Sequence, residues 1–293
     1  GRRVDEPSNQ IRLSFDDGIG NTGNPEVRVE NFGGVLTRES VDRRALRLDN
    51  RAYLKLASHR FSEFVLGDYS ISVWVKLDHS GYSRILSAGS WDSPLELETD
   101  SDHLAFYSAE VQRGDIVQRA RSRDAVAAKR WYHIVAQRSG DTIRLHVDGQ
   151  LQESVSSMEP IKSRGSDVIF VGKEGSTEGS SHITPRAIDE LRIYDRALGE
   201  VEIQRLYQLK FNRFAITPAN ASDSENLDQI CRQAFGKTAR MADWAEIKSL
   251  FSDEIVAFMD AIGWQRYQDV FVRQDRERLW KNNRHYLATR HDG

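Results

Sequence analysis

The sequence has 293 residues, 39% of them apolar, enough for one large domain or two modest ones with a sizeable core. Its 41 basic and 44 acidic side chains leave a formal net charge of −3, so no overall field points to nucleic acid or an anionic membrane as partner. No apolar run approaches the roughly 20 residues of a membrane helix, and the lone Cys231 excludes an internal disulfide and a cysteine-rich zinc site.

Residues 1–9 are polar and charged and carry no signal peptide. A chain that opens on Gly1 reads as processed or excised, so this says little about the compartment. From about Ile11 to Tyr194, short alternating runs are broken by turn residues, the pattern of an all-β sandwich or barrel. Tyr69–Leu77 is the clearest run: Ile71, Val73, Val75 and Leu77 share one face, Ser70, Ser72, Trp74 and Lys76 the other. Arg84–Ala88, Pro94–Glu98 and His103–Tyr107 read as the next strands. Trp131–Arg138 and Thr142–Val147 form a hairpin across Ser139-Gly140-Asp141, and Asp148-Gly149 turns the chain into Gln150–Val155. Val168–Gly172 and Ala187–Tyr194 close the set. Such short spacings favour antiparallel sheets over βαβ units.

After Asp195 the period lengthens. Gly199–Leu209 reads as an amphipathic helix. Pro218 and the small polar residues of Asn212–Ser224 mark a boundary between a sandwich over 9–210 and a smaller helical or α+β domain over 211–293. Helices are expected at Ser224–Ala234, Met241–Phe251 and Asp253–Ile262, and short strands at Val270–Val272 and His285–Thr289. Cys231 is expected as a small buried hydrophobe.

The ordered set Leu13-Ser-Phe-Asp-Asp17, Ala45-Leu-Arg-Leu-Asp49, Tyr53-Leu-Lys-Leu56, Ser70–Val75, Trp131–Val135, Leu145–Gly149 and Ile188–Leu198 resembles laminin-G-like domains of the concanavalin A-like jelly-roll superfamily. The resemblance covers about Asn9 to Leu209. It implies a two-sheet antiparallel jelly-roll sandwich, so that with the smaller C-terminal α+β domain read from the residues the chain is mainly β. It also implies a secreted or cell-surface setting, a structural calcium, and a carbohydrate or protein ligand. Ile230–Trp244 is loosely similar to the helix opening of C-type-lectin-like folds, without their partner cysteines.

In domains of this kind the first and last strands run side by side, which would bring Asp16 and Asp17 to Asp189. The acid matching Asp189 is a calcium ligand in such domains. The same acids would otherwise cap turns and pair with Arg43, Arg44 or Arg186. For a sugar, Trp91 is the leading stacking residue, since Gly-Ser-Trp-Asp-Ser-Pro is a loop context; Tyr82 and Tyr107 lie nearby in sequence. Trp74 and Trp131 are expected to be structural.

Glu96-Leu-Glu98-Thr-Asp100 alternates acids on one strand face, the spacing of a glycosidase pair, but the turn that follows at once argues against catalysis. His133 and His146 lie on successive strands and read as a hydrogen-bonded or stacked pair. The basic stretch Arg113 to Arg130 is interrupted by Asp115 and Asp124 and reads as a solvated surface before a polyanion site. The expected function is a non-catalytic extracellular binding module, with no nucleic-acid partner and no membrane insertion. A scaffold domain and a hydrolase of the same superfamily are the alternatives.

Overall fold

A computed structural model describes residues 9–49, 51–78, 81–88, 95–108, 119–156, 166–173, 185–216, 226–236, 239–251, 254–261, 270–271 and 285–289. The chain divides into two compact units: Gly1–Ser40 with Arg44–Tyr207, and Val41–Arg43 with Gln208–Gly293.

The first unit holds β1 (Asn9–Leu13), β2 (Arg28–Phe32), β3 (Val35–Thr37), β4 (Ala45–Arg47), β5 (Tyr53–Ala57), α1 (Phe61–Phe64), β6 (Tyr69–Lys76) and β7 (Ser83–Ala88). It continues with β8 (Glu96–Asp100), β9 (His103–Tyr107), β10 (Arg119–Arg121), β11 (Trp131–Ser139), β12 (Thr142–Val147), β13 (Gln150–Ser156), β14 (Val168–Val171), β15 (Ala187–Tyr194) and α2 (Glu200–Tyr207). An eight-stranded sheet runs β13-β12-β11-β6-β15-β4-β3, with β1 also paired to β15; a seven-stranded sheet runs β10-β9-β8-β7-β14-β5-β2. The central pairings are antiparallel. This is the two-sheet jelly-roll sandwich.

Alternation decides the two faces. From the eight-stranded sheet Ile71, Val73, Val75, Ile134, Leu145 and Ile193 turn inward; from the seven-stranded sheet Leu54, Leu56, Leu97, Phe106, Ile169 and Val171 meet them. The Asp148-Gly149 hairpin works because both residues sit in the left-handed region, at φ 50° and 75°, which matches the strand twist. β2 and β3 are linked by Gly33-Gly34, where Asn31 accepts from Gly34 N–H at 2.9 Å and donates to its carbonyl at 2.8 Å. A side chain at Gly34 would meet Asn31 Oδ1 at 2.8 Å and Leu46 at 2.9 Å, so both side chains would have to shift to admit one.

The outward face of the eight-stranded sheet is covered by α2. Trp74 stacks with Tyr207 at 5.9 Å and tilts against His133 at 5.1 Å. Ser70 Oγ donates to Arg196 O at 2.8 Å and accepts from Leu198 N–H at 3.0 Å, tying the helix entry to the sheet. Trp74 is therefore structural, and Trp131 is also buried. His133 meets Ser72 at 3.0 Å, while His146 faces Val135 across the ladder.

The end strands of the two sheets, β10 and β13, meet through side chains. Glu153 accepts from Arg121 N–H at 2.6 Å, and Gln152 accepts from Arg123 N–H at 3.2 Å and, through its carbonyl, from Arg123 Nε at 2.9 Å.

The second unit begins with a 3-10 turn (Gln208–Arg213). It holds β16 (Phe214–Ile216), α3 (Leu227–Phe235), β17 (Arg240–Met241), α4 (Trp244–Phe251), α5 (Ile255–Ala261), β18 (Val270–Phe271) and β19 (His285–Thr289). Strand β19 pairs antiparallel with β16 and β17 and parallel with β18. Phe211, Phe214, Phe251 and Phe258 form its aromatic core, with Phe251 and Phe258 stacked at 4.3 Å. Cys231 is fully buried beside Ala239 and Met241. Met241 lies in a strand, not in the helix expected from Met241. Its N–H donates to Asp228, and Asp243 accepts from Ala245 N–H to start α4.

Candidate functional site

Two places on the first unit gather polar groups beyond what a sandwich needs. The first is where β15 changes neighbour. Its start, Ala187–Ile188, pairs with β4, and its end, from Leu191 to Tyr194, pairs with β1. Asp189 and Glu190 fall between the two ladders. The pairing with β6 is also irregular between Asp189 and Arg192. Glu190 takes φ 48°, and Phe15, just after β1, takes φ 63°. Left-handed conformations at a bulky aromatic and a buried acid are strained, and such strain concentrates at functional sites.

The consequence is a close acidic approach. Asp16 and Glu190 each offer a carboxylate oxygen, within 4.8 Å of one another, and both residues are buried. Asp16 accepts from Arg44 N–H at 3.3 Å. Arg192 pairs with Glu190 at 2.7 Å, both side chains being 5% exposed. Asp189 is fully buried and accepts from Glu190 N–H at 2.9 Å, whereas Asp17 is exposed. Oxygen donors of this type suit a hard cation such as calcium; Arg192 offers Glu190 a competing counter-charge. Glu190 was not singled out from the sequence. Its signal is the pairing switch, which sequence reading does not reveal.

The second place is the outward face of the seven-stranded sheet. Direct cross-strand partners form an unbroken row: Glu30, Lys55, Phe170, Ser87, Glu96, Tyr107 and Arg119. Six strand-to-strand steps make this band roughly 29 Å long. At its middle, Arg84 Nη1 lies 2.6 Å from Glu96 and 2.8 Å from Glu98. Tyr82 donates to Glu98 at 2.6 Å and accepts from Arg84 Nη2 at 2.6 Å. Burial, reinforced by the hydrogen bond to Glu98, holds the Tyr82 phenol protonated well beyond its ordinary range. Burial also raises Tyr107, against the opposing hydrogen bond with Arg119. For Arg84, burial works against the charge, but Glu96 and Glu98 outweigh it and the guanidinium is more firmly protonated than usual.

The structure thus brings Tyr82 and Tyr107 to one face around the same acidic pair. Trp91 lies outside the described residues, as does Arg113. Of the basic stretch, Arg119 pairs with Asp100 at 2.9 Å and Arg130 with Asp148 at 3.0 Å, as a solvated surface would. At the end of the row, Phe32 and Tyr53 stack at 4.5 Å with an interplanar angle of 9°. Sequence reading missed this group, because Phe32 sits in a run without clean alternation.

The profile of the concanavalin A-like lectin/glucanases superfamily matches residues 48–204. The chain belongs to this superfamily. No curated protein matches it by sequence. Solved structures show the fold of this superfamily member at low identity. The binding domain of botulinum neurotoxin DC, in complex with rat synaptotagmin II, superposes with a TM-score of 0.55 at 14% identity, covering 71% of this chain and 53% of that one. A botulinum neurotoxin type C structure, from work tying cell entry to two ganglioside molecules, gives 0.55 at 13% identity over 70% and 52%. The receptor-binding domain of botulinum neurotoxin type G gives 0.53 at 13% identity over 71% and 53%. The chain therefore spans about half the length of these three matches. No helix among the described residues is long and apolar enough to cross a membrane.

Proposed function

We propose that this superfamily member is a non-catalytic binding module working outside the cell, and that it engages a carbohydrate or protein ligand on the outward face of the seven-stranded sheet. The observation that carries the reading is the set of partners that engages Glu96 and Glu98. A glycosidase needs one carboxyl that holds a proton and one that is free to attack or to activate water. Here both carboxylates share a single guanidinium, and Glu98 also accepts from Tyr82. Among the described residues the face offers aromatic and hydrogen-bonding groups, and its acids Glu30, Glu96, Glu98 and Asp100 are each paired with a basic side chain. Tyr82, Tyr107 and Trp91 are the proposed contacts. Structures of the same fold lend support: one is a binding domain in complex with synaptotagmin II, and another is described through interaction with two ganglioside molecules.

A structural calcium is part of the proposal. Asp16, Glu190 and the neighbouring Asp189 would hold it where β15 leaves β4 for β1, and its charge would balance acids that strained backbone forces together. A glycan array with calcium, read against Tyr107→Ala, tests the binding role; loss of a specific signal in the variant supports it, and a blank array overturns the carbohydrate branch. Melting with and without chelator tests the metal. A fall in Tm with chelator that Glu190→Gln abolishes is expected, and an unchanged Tm overturns the calcium.

The hydrolase reading keeps one observation: Glu96 and Glu98 lie on the same strand face within reach of one guanidinium. Release of reducing ends from any polysaccharide, lost in Glu98→Gln, would replace the binding reading with that one.

A further inference from the structure

We propose that Phe32, Tyr53, Phe170 and Lys173 form a subsite for an acidic saccharide, a pyranose carrying a carboxylate or sulfate. This rests on the binding-module reading and names the ligand class for one end of the same face.

Three observations converge. First, three rings lie on the outward face of the sheet, Phe32 exposed and Tyr53 and Phe170 half-buried. Phe32 is 41% exposed, stacks on its cross-strand partner Tyr53, and sits on β2, the last strand of its sheet. Phe170 follows at 6.1 Å, tilted by 56° to Tyr53. A row of ring surfaces and edges suits the apolar C–H face of a pyranose, which buries carbon without asking for hydrogen bonds.

Second, Lys173 brings its ammonium to 4.6 Å from the Tyr53 ring and 5.6 Å from the Phe170 ring. Among the described residues its contacts are these rings, plus its carbonyl, which accepts from Ser87. The cation is held by ring faces and keeps donors for an anion.

Third, the local charge runs against that of the chain. Arg28, Lys55 and Lys173 lie on the strands that carry these rings or just beyond them, and Arg28 and Lys55 share the carboxylate of Glu30 at 3.5 and 3.7 Å. A chain of net charge −3 thus shows basic side chains beside an exposed aromatic stack. An acidic sugar matches both halves: ring on ring, anion on ammonium. A neutral sugar would leave the cation idle, and a simple anion would leave the rings idle.

The test titrates the full chain with oligogalacturonate, hyaluronan and heparin oligosaccharides, each beside a neutralised counterpart (methyl-esterified or desulfated). At least one acidic probe is expected to bind about tenfold more tightly than its neutral partner, the scale of one charge-assisted hydrogen bond. Lys173→Gln should erase that difference, and Phe32→Ala should weaken both forms. Equal binding of every charged and neutral pair overturns the inference. So does an acidic preference that survives both Lys173→Gln and Phe32→Ala. If neutral sugars bind and respond to Tyr107→Ala alone, the acidic subsite falls while the binding module stands. If no saccharide of either kind binds, the subsite and the carbohydrate branch of the module fall together.

Discussion

Replacing Arg84 with Met keeps an unbranched stem of similar length and removes the charge. The side chains involved are closed to solvent: Arg84 is 4% exposed, Glu96 14% and Glu98 6%. Two carboxylates would then share a buried site without that guanidinium, Glu98 keeping its hydrogen bond from the Tyr82 hydroxyl. Breaking a buried ion pair by deleting one partner costs about 3–5 kcal/mol. Glu96 retains some water, which takes the cost somewhat below that range, to about 2–4 kcal/mol at pH 7. For a domain of this size each kcal/mol lowers Tm by about 2–4 °C, which places the fall at roughly 4–16 °C. Urea unfolding followed by tryptophan fluorescence reads it directly. Adding Glu96→Gln and Glu98→Gln to Arg84→Met should recover most of the loss, because the cost lies in the stranded charges. If Arg84→Met alone costs under about 0.5 kcal/mol, as an exposed pair would, the guanidinium does not hold these acids. The case against catalysis at Glu96 and Glu98 then fails with it.

Three further outcomes are expected. Burial pushes the His146 imidazole below its ordinary value of 6.5, so the unfolded chain takes up the proton first. Stability should be full above pH 6.5 and should decline as pH falls below it, and unfolding of His146→Gln across pH 5–7 should remove that component. Glu202 caps α2 by accepting from Gly199 N–H at 3.0 Å and pairs with Arg196. The hydrogen bonds from Arg196 lower its pKa from 4.5 to about 2, so its contribution is present above pH 4.5 and is lost as pH falls toward 2. Because the carboxylate is partly exposed, Glu202→Gln should cost under about 1 kcal/mol at neutral pH, measured by the same urea titration. Tyr207→Ala strips the aromatic cover from Trp74 and should cost about 3 kcal/mol or more, with a red shift of tryptophan emission in the folded state.

The sandwich was legible because its central strands obey one rule at a time. In β6 the apolar positions alternate without a break, and Asp148-Gly149 announces its turn through residues that tolerate left-handed backbone. The edge elements were not legible. In β2 the sequence Arg-Val-Glu-Asn-Phe buries little, so periodicity has nothing to report, and its Phe32 turned out to belong to an exposed aromatic pair. The acidic approach was half legible. A first strand beside the last one put Asp16 near the start of β15, but the irregular pairing after Asp189 brings Glu190 to Asp16. Local backbone irregularities of this kind are settled by tertiary pairing, which no window of sequence contains. Tyr82 and Tyr107 lie 25 positions apart, and only the strand register places both around Glu96 and Glu98.

The meeting of β10 and β13 carries a consequence for assembly. An exposed end strand is a template on which another chain can add, and through it proteins aggregate or recruit extended peptides. Here Glu153 and Gln152 take up N–H groups of Arg121 and Arg123, so the rim is sealed by side chains instead of by a ladder. Those two N–H groups are thereby no longer offered to an added strand, and side chains do there what a ladder does elsewhere in the sheet.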